Sequence, residues 1–543
     1  SAIAGCGPSH FPRNSPITEP VVPHRPGIYA YETLVENGGG IERNSEELFV
    51  TLAFSGGGVR ASSFAFGVLE KLRNVEILVD GRRRRLLDEI DLIVSNSGGS
   101  YTAAYYAAYR EAALNTGAES FKERFLYADF EGALKRAVFT NLLRLVVTEV
   151  NRSDLAAEVL NEKVFRGKTF QNLIDLGRPY VILNSTDDVK HSLFTFTQEQ
   201  FDDICSDISK LPLARAVLAS SAVQGAFAPV RLINYPDDNC ALPRWVDNAY
   251  DGRKGRSNNA PAYAKAKAAL IYREKDCFES EAPNCENPPD QTWYVHLNDG
   301  GAVDNLGLRP VYWMVTSNYT TDSILNRMNA GKIKTFLLIA IDSASEPSST
   351  LDKKLSGPNA IQLISSAISS SIDSTSADSM EFLKQRFESR SRIAEDVGER
   401  GRLWCAWLKL KKRHGLDSSN PAVRELEDAA YPNAALRGVE TRRCEKSPTP
   451  PAEPNFARVR YYPVWLSFDD IPNADERSWF KNIPTRLTLP RDEVDPLVCL
   501  GPKLLDRNDT FQAFLSDHAA GTTAQSPTMA PGAPRLCRPE SPP

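Results

Sequence analysis

The sequence predicts an α/β fold built around a mainly parallel central sheet. Two segments, which begin at Leu48 and Ile90, each combine a buried β-strand, a turn of small residues and an amphipathic helix. A third strand-like segment, 292–297, leads into an Asp-Gly-Gly turn. Strands that alternate with helices are typical of parallel sheets, whose functional sites lie beyond the carboxyl ends of the strands. We therefore expect the functional residues in the turns after these three strands.

The composition is that of a folded protein. Of the 543 residues, 42% are hydrophobic and 24% are charged, which excludes a mostly disordered chain and one that spans a membrane many times. The 64 basic and 69 acidic residues give a formal net charge of −5, so no nucleic-acid partner is expected. The sequence contains no apolar run of about 18 residues, and no transmembrane helix is predicted.

The first turn is rich in glycine. The predicted strand Leu48–Phe54 is followed by Gly56, Gly57 and Gly58, and a helical pattern begins directly after them. Backbone N–H groups at such a helix N-terminus bind an anion, which is either a phosphate or the oxyanion that develops in acyl transfer. The glycine spacing matches neither the P-loop nor the dinucleotide-binding pattern. A simple tight turn is the alternative.

The second turn places a serine between a strand and a helix. The strand 90–94 leads to Ser97, and a helix is predicted from Tyr101 onward. This arrangement approximates the nucleophile elbow G-x-S-x-G, in which small residues two positions before and after the serine let strand and helix approach closely. Here those positions hold Ser95 and Gly99, so the first departs from glycine. A serine-rich turn without chemistry is the alternative.

A nucleophilic serine needs a base, and the histidines are poor candidates. The sequence has six of them: His10, His24, His191, His296, His414 and His518. The first two lie among prolines, the last adjoins the tail, two lie in polar surroundings, and His296 is inside a predicted strand. Asp299 follows that strand, which we predict to be parallel, and two glycines come after it. The sequence therefore favours Asp299, although Asp-Gly-Gly is also an ordinary turn.

Taken together, the three turns resemble the patatin-like phospholipase family. The motifs are Gly-Gly-Gly-Val-Arg at 56–60, Ser-Asn-Ser-Gly-Gly at 95–99 and Asp-Gly-Gly at 299–301. The small-residue segment 213–230 also resembles that family, except that Gln224 and Ala228 replace its usual prolines. The resemblance covers roughly residues 48–345 and resumes near 466–491.

The resemblance implies a three-layer, α/β-hydrolase-like fold and a serine-aspartate dyad that works without histidine. Ser97 would be the nucleophile and Asp299 its proton acceptor. The N–H groups of Gly57 and Gly58 would form the oxyanion hole, with Gly56 in the turn. The implied activity is that of a serine-dependent lipid acyl hydrolase, of the phospholipase A or lysophospholipase type, with no cofactor and no metal.

Two further residues are assigned supporting roles. Arg60 would brace the glycine turn or meet a lipid phosphate, and Gly301 would shape the loop after Asp299. Because Ser95 and Gln224 depart from the family pattern, a catalytically weak or inactive lipid-binding protein on the same scaffold stays open. A general esterase or thioesterase without a membrane role is the third alternative.

Proline clusters and the extent of the resemblance suggest the organisation of the chain. The expected units are a proline-rich N-terminal spacer at 1–45, a patatin-like catalytic domain at 46–345, a helical or inserted region at 346–460, a C-terminal segment packing on the catalytic domain at 461–518, and a disordered proline-rich tail at 519–543.

The expected partners are a phospholipid or other lipid ester and a membrane surface. Ile3-Ala4-Gly5-Cys6 resembles a bacterial lipobox, so Cys6 is a candidate for lipidation, and the eight remaining cysteines permit four disulfides. A bacterial envelope or secreted location follows from both features. The apolar stretch 137–147 would form an interfacial helix or a lid, or pack on the core. Arg82–Arg85 is expected to be a solvated loop or a contact for anionic headgroups.

Overall fold

The fold was analysed in a computed structural model. The residues that the structure describes are 14–18, 27–36, 44–148, 150–224, 227–235, 246, 249, 268, 294–316, 323–344, 378–390, 401–430, 437–438, 441–442, 444–445, 459–519 and 536–537. The candidate lipidation site Cys6 and the pair Cys277 and Cys285 lie outside these residues.

The architecture is α/β, as predicted. The strands are β1 (Ser15–Pro16), β2 (Leu48–Phe54), β3 (Glu76–Val79), β4 (Arg82–Arg85), β5 (Ile90–Asn96), β6 (Tyr180–Asp187), β7 (Ser192–Thr195), β8 (Ser206–Asp207), β9 (Val230–Ile233), β10 (Tyr294–Asp299), β11 (Thr335–Asp342) and β12 (Arg460–Ser467). Eight of these form the central sheet in the order β12-β11-β2-β5-β6-β10-β9, with β7 paired to β6. From β12 to β6 all neighbours are parallel, so the sheet is mixed but mostly parallel.

Many helices surround the sheet. The α-helices are α1 (Tyr31–Glu36), α2 (Gly58–Leu72), α3 (Ser97–Tyr109), α4 (Glu111–Leu114), α5 (Phe130–Thr140), α6 (Leu142–Val147), α7 (Arg152–Leu160), α8 (Phe170–Leu176), α9 (Gln198–Asp202), α10 (Leu213–Ser220), α11 (Gly301–Asp304), α12 (Leu308–Thr316), α13 (Leu325–Asn329), α14 (Pro421–Ala430), α15 (Ala474–Asn482), α16 (Arg491–Arg507) and α17 (Asp509–Asp517). Residues 378–390 and 401–414 are also helical. Short π-helical turns occupy Lys122–Leu126 and Asn161–Phe165, and 3-10 turns occupy Ile208–Lys210 and Phe468–Asp470.

The central strands are buried on both faces. Every residue of β2, β5, β6 and β11 is buried, which explains why these segments are nearly continuous apolar runs. Helices α2, α3 and α16 pack together on one face. On the other face Phe387, from the helical segment 378–390, packs on Phe336 of β11 and Tyr461 of β12. The two helical layers enclose the sheet, and the turns after β2 and β5 open at the same edge.

The strand before Asp299 is not parallel, contrary to the sequence prediction. β10 runs antiparallel to β6, with Asp299 opposite Ser185. On its other side, β6 pairs in parallel with β5 and places Asn184 beside Asn96. Because β10 runs antiparallel to β6, its last residue, Asp299, lies near the carboxyl end of β6 and therefore close to the end of β5. The position depends on strand register and not on the rule for parallel strands.

The N-terminal segment is more than a spacer. Tyr29 and Tyr31 are fully buried, and the Tyr29 hydroxyl donates to the Val181 carbonyl oxygen at 2.7 Å. Further upstream, Asn14 donates to the Ser206 hydroxyl at 2.9 Å. The predicted spacer 1–45 is therefore wrong for the described residues 14–18 and 27–36, because their aromatic and amide side chains find partners on the domain.

The C-terminal residues also depart from the prediction. β12 extends the central sheet as an edge strand beside β11, so the segment 461–518 joins the sheet as well as packing on it. In the predicted disordered tail, Cys537 forms a disulfide with Cys499, and the backbone N–H groups of Leu536 and Cys537 donate to the buried Glu476 carboxylate. A covalent link and a buried acceptor hold this part of the tail.

Two other sequence expectations can be compared with the structure. Cys405 pairs with Cys444, and Cys205 is also disulfide-bonded. The basic run Arg82–Arg85 is strand β4 of a hairpin and not a loop. Arg84 pairs there with Glu89, and Arg85 pairs with Asp88. These two arginines are engaged by acidic partners of the domain.

Candidate active site

The glycine turn joins β2 to α2 with backbone angles that favour glycine. Gly57 has a φ of 139° and Gly58 a φ of 61°. A Cβ atom on Gly58 would lie 2.3 Å from the Arg486 carbonyl oxygen, so the loop around Arg486 packs directly on the turn. The next residue, Val59, donates its backbone N–H to that same oxygen at 2.8 Å. Only glycine fits this turn without displacing the loop.

The N–H groups of the turn differ in their partners. The Gly56 N–H donates to the Asn305 side-chain oxygen at 3.1 Å, so it is not free to hold an anion. In the part of the chain that the structure describes, the N–H groups of Gly57 and Gly58 have no protein acceptor. They stand at the N-terminus of α2, where the helix dipole favours negative charge. The turn therefore has two free donors, and Gly56 shapes it without being one of them.

Ser97 occupies a strained elbow between β5 and α3. Its φ is 46°, a left-handed value that costs a non-glycine residue about 1–3 kcal/mol. Its backbone N–H donates to the Ser220 hydroxyl at 3.0 Å, and 6% of the residue is exposed. A Cβ atom on the next residue, Gly98, would lie 2.5 Å from the Gly58 backbone nitrogen. The elbow and the glycine turn are therefore in direct contact.

Asp299 lies beside this serine. Its carboxylate accepts a hydrogen bond from the Gly301 N–H at 2.8 Å. Burial raises the pKa of Asp299 to about 6, and the Gly301 N–H and the neighbouring Ser97 hydroxyl oppose that rise. The side chain keeps some contact with solvent although protein surrounds it closely. A carboxylate with this pKa is a better proton acceptor near neutral pH than an ordinary aspartate.

Ser220 and Asn305 connect the three turns. Ser220 accepts from the Ser97 N–H through its hydroxyl and from the Gly300 N–H through its carbonyl oxygen. The Asn305 side chain accepts from Gly56, while its carbonyl oxygen accepts from the Asn96 side chain at 3.0 Å. Each residue therefore fixes one turn relative to another.

Local sequence patterns do not reveal these hydrogen bonds. Ser220 lies inside the small-residue segment 213–230, but no local pattern separates it from its neighbours. Ser343, which follows β11, accepts from Arg60 through its carbonyl oxygen and donates its hydroxyl to the Gly56 carbonyl oxygen at 2.6 Å. Arg486 contributes only a backbone oxygen, which leaves no signal in the side-chain sequence.

Arg60 points into the protein. Its guanidinium donates to the carbonyl oxygens of Ser343 and Ile483, and the residue is buried. Burial lowers the pKa of Arg60 to about 10, while nearby Asp342 opposes that change. A lipid phosphate would have to enter the core to reach this side chain. The contacts therefore favour the bracing role over the phosphate-binding one.

The described part of the chain shows neither a metal-binding cluster nor a membrane-spanning helix. No group of three or more histidine, cysteine, aspartate or glutamate residues there could hold a metal ion. None of the helices described is both long enough and apolar enough to cross a membrane.

One family model matches part of the chain. The model of patatin-like phospholipases matches residues 52–312, a little under half of the sequence. The resemblance inferred from the three motifs is thereby confirmed over this range.

Human GIVD cytosolic phospholipase A2 is among the solved structures that are similar to this chain, with 11% sequence identity and a TM-score of 0.28. The alignment covers 60% of this chain and 50% of that chain, so this chain spans about half the length of that relative. No curated protein sequence matches the chain.

Proposed function

We propose that this protein is a serine-dependent lipid acyl hydrolase of the phospholipase A or lysophospholipase type, with Ser97 and Asp299 as its catalytic dyad. The observation that supports it most strongly is that the Ser97 hydroxyl lies beside a carboxylate whose pKa burial raises to about 6. The patatin-like family match over residues 52–312 supports the substrate class, a lipid ester.

The first half-reaction forms an acyl-enzyme. The Ser97 oxygen attacks the ester carbonyl carbon, and its proton passes to the Asp299 carboxylate. The N–H groups of Gly57 and Gly58 hold the negative charge that develops on the carbonyl oxygen. The tetrahedral intermediate collapses, the carbon–oxygen bond to the leaving group breaks, and the leaving alcohol takes the proton from Asp299.

The second half-reaction releases the fatty acid. A water molecule attacks the acyl-enzyme carbonyl and gives a proton to Asp299, and the same two N–H groups hold the second oxyanion. Collapse of this intermediate returns the proton to the Ser97 oxygen. The dyad needs no further base because Asp299 lies beside the Ser97 hydroxyl and burial raises the pKa of its carboxylate.

The experiment combines covalent labelling with product analysis. The folded protein is treated with a fluorophosphonate probe and incubated with vesicles of mixed phospholipids. Ser97→Ala should abolish both labelling and fatty-acid release. Ser63→Ala is the matched control, because the Ser63 hydroxyl bonds only to the Val59 carbonyl oxygen within α2.

The two alternatives give different results in this experiment. A folded wild-type protein that neither takes the label nor releases fatty acid would be a lipid-binding protein on this scaffold. A protein that takes the label and cleaves soluble short-chain esters, but leaves every phospholipid intact, would be a general esterase or thioesterase. Either result would overturn the phospholipase assignment.

We further propose a bacterial envelope or secreted location, with Cys6 as a lipidation site. Support comes from the lipobox-like sequence before Cys6 and from the disulfides Cys405–Cys444 and Cys499–Cys537, which are typical of oxidising compartments. Metabolic labelling of the natural gene product with an alkyne fatty acid tests the anchor. Label that persists in Cys6→Ser would contradict it.

A further inference from the structure

A continuous apolar stripe is exposed where α5 meets α6. It is formed by Phe139, Leu142, Leu143, Val146 and Val147, which are between 59% and 81% exposed. Their spacing is i, i+3, i+4, i+7 and i+8, the pattern that normally faces a protein core. No residue of α6 is buried. Elsewhere in the described residues, no stretch of nine contains more than two exposed large apolar side chains.

The charged residues within this stretch are basic. Residues 132–148 contain Lys135, Arg136 and Arg144, and the nearest acidic residues in the sequence are Glu131 and Glu149 on either side. Lys135 and Arg136 are exposed. Arg144 instead forms two hydrogen bonds, of 2.7 and 2.6 Å, to the Glu158 carboxylate of α7, which holds α6 against the domain. An apolar stripe flanked by free cations is complementary to an anionic lipid interface.

The first end of α5 is attached to the loop beside the glycine turn. Glu131 donates its backbone N–H to the Thr488 hydroxyl at 3.0 Å, and its carboxylate accepts from the Leu487 N–H at 3.1 Å. The preceding residue, Arg486, accepts the Val59 N–H beside the turn. The stripe is therefore linked through this loop to the oxyanion-binding edge of the site.

A second connection runs through α7 and α10. The ion pair of Arg144 with Glu158 fixes α6 to α7, which packs against α10. Helix α10 ends at Ser220, whose hydroxyl accepts the Ser97 N–H. The stripe is thus connected on both sides to elements that position the nucleophile.

We propose that the α5–α6 stripe is a membrane-docking surface that inserts into an anionic phospholipid bilayer. Insertion would hold the glycine turn and Ser97 near the lipid surface from which the ester is drawn. The benefit to catalysis rests on the proposed function, whereas docking itself is a separate property that a non-hydrolysing protein also shows.

The test measures how the protein partitions onto vesicles. All variants are made on Ser97→Ala, so that lipid is not consumed. They are mixed with vesicles of phosphatidylcholine alone or of phosphatidylcholine with phosphatidylglycerol added as the anionic lipid. The Leu143→Ser/Val146→Ser variant should lose at least tenfold in partition coefficient, because two apolar side chains no longer enter the bilayer. The matched control is Leu403→Ser/Leu426→Ser, at positions 63% and 60% exposed, which should not change binding.

The charge contribution is measured separately. Lys135→Gln/Arg136→Gln should lower binding to the anionic vesicles severalfold and leave binding to phosphatidylcholine unchanged, because only the attraction to anionic lipid is removed. A uniform loss on both vesicle types would contradict the anionic preference.

The same variants test whether a second copy or another part of the chain packs on the stripe instead of a bilayer. Vesicle binding equal to that of the Ser97→Ala parent would overturn the proposal. A dimer in light scattering that the Leu143→Ser/Val146→Ser variant dissociates would also overturn it, because the stripe would then pack against a second copy. A large fall in the melting temperature of that variant would do the same, because the stripe would then pack against another part of the chain. Fluorophosphonate labelling of the wild type is read independently. If the wild type takes no label while the Ser97→Ala parent binds vesicles, the proposed hydrolase activity is refuted and the docking proposal stands.

Discussion

Replacing Asp299 by asparagine separates its chemical role from its structural cost. The carboxylate is buried enough to raise its pKa from 3.8 to about 6. That rise corresponds to roughly 3 kcal/mol of destabilisation once the group is ionised. Asparagine keeps a side-chain oxygen that can accept from the Gly301 N–H but has no charge to bury. We therefore expect a variant with almost no activity that is at least as stable as the wild type at neutral pH.

The sign of the pH dependence follows from the raised pKa. The folded protein holds the Asp299 proton more tightly than the unfolded chain, so this group stabilises the fold below about pH 4. That contribution is lost as the pH rises towards and through 6. About half of it is already lost at pH 5, so the stability advantage of Asp299→Asn should grow by about 1 kcal/mol between pH 5 and pH 7.5.

Two assays check this expectation. Urea unfolding at pH 5 and pH 7.5 gives the free-energy difference between variant and wild type at each pH. Hydrolysis of a soluble ester between pH 4.5 and 8 should show kcat/KM of the wild type rising with an apparent pKa near 6 and then levelling, because the base form of Asp299 is required. Asp299→Asn should be about 100- to 10,000-fold slower. An unchanged rate, or a stability difference that is flat with pH, would refute the argument.

Three further substitutions test the surrounding geometry. Ser97→Ala should remove measurable ester hydrolysis. Alanine keeps the Cβ atom, so the strain at a φ of 46° persists in the variant and its melting temperature should stay close to that of the wild type. Gly58→Ala should reduce stability, because its Cβ would lie 2.3 Å from the Arg486 carbonyl oxygen. It should also lower kcat by more than about 100-fold, because the displaced turn no longer holds the oxyanion. A normal kcat would show that Gly58 is not part of the oxyanion hole. Ser220→Ala removes the acceptor of the Ser97 N–H and should lower kcat more than it changes KM. Rescue of kcat by Ser220→Thr, which restores a hydroxyl, would support a positioning role for Ser220. An equal loss of kcat in both variants would instead indicate a packing defect.

The sequence was informative where chemistry is local to a turn. Strand β2, its three glycines and helix α2 were predicted because a buried apolar run, a turn and a helical pattern follow one another within 25 residues. Ser97 was found in the same way, despite the departure at Ser95. In the structure Ser95 is buried, and its hydroxyl pairs with that of Ser100 at 3.1 Å. A small polar residue is therefore accommodated where the pattern has glycine.

The sequence was misleading where the outcome depends on partners far away in the chain. Tyr29 and Tyr31 lie shortly after a proline-rich stretch, yet both are buried, and both pack on Tyr180 of β6, far along the chain. Cys537 lies among prolines, but its disulfide to Cys499 ties it to α16. Amino-acid composition reflects the preference of an isolated segment and does not show which distant residues that segment will contact.

The sequence by itself determined the α/β class and the three turns, and it made Ser97 and Asp299 the candidate dyad, because each of these inferences depends on residue types within a short window. Only the tertiary structure decided how the turns meet. It runs β10 antiparallel to β6, so that Asp299 stops beside the end of β5, and it uses Gly56 as a donor to Asn305. It also leaves the α5–α6 stripe exposed instead of buried. Strand register and burial arise from packing of the whole chain, and a local pattern contains neither.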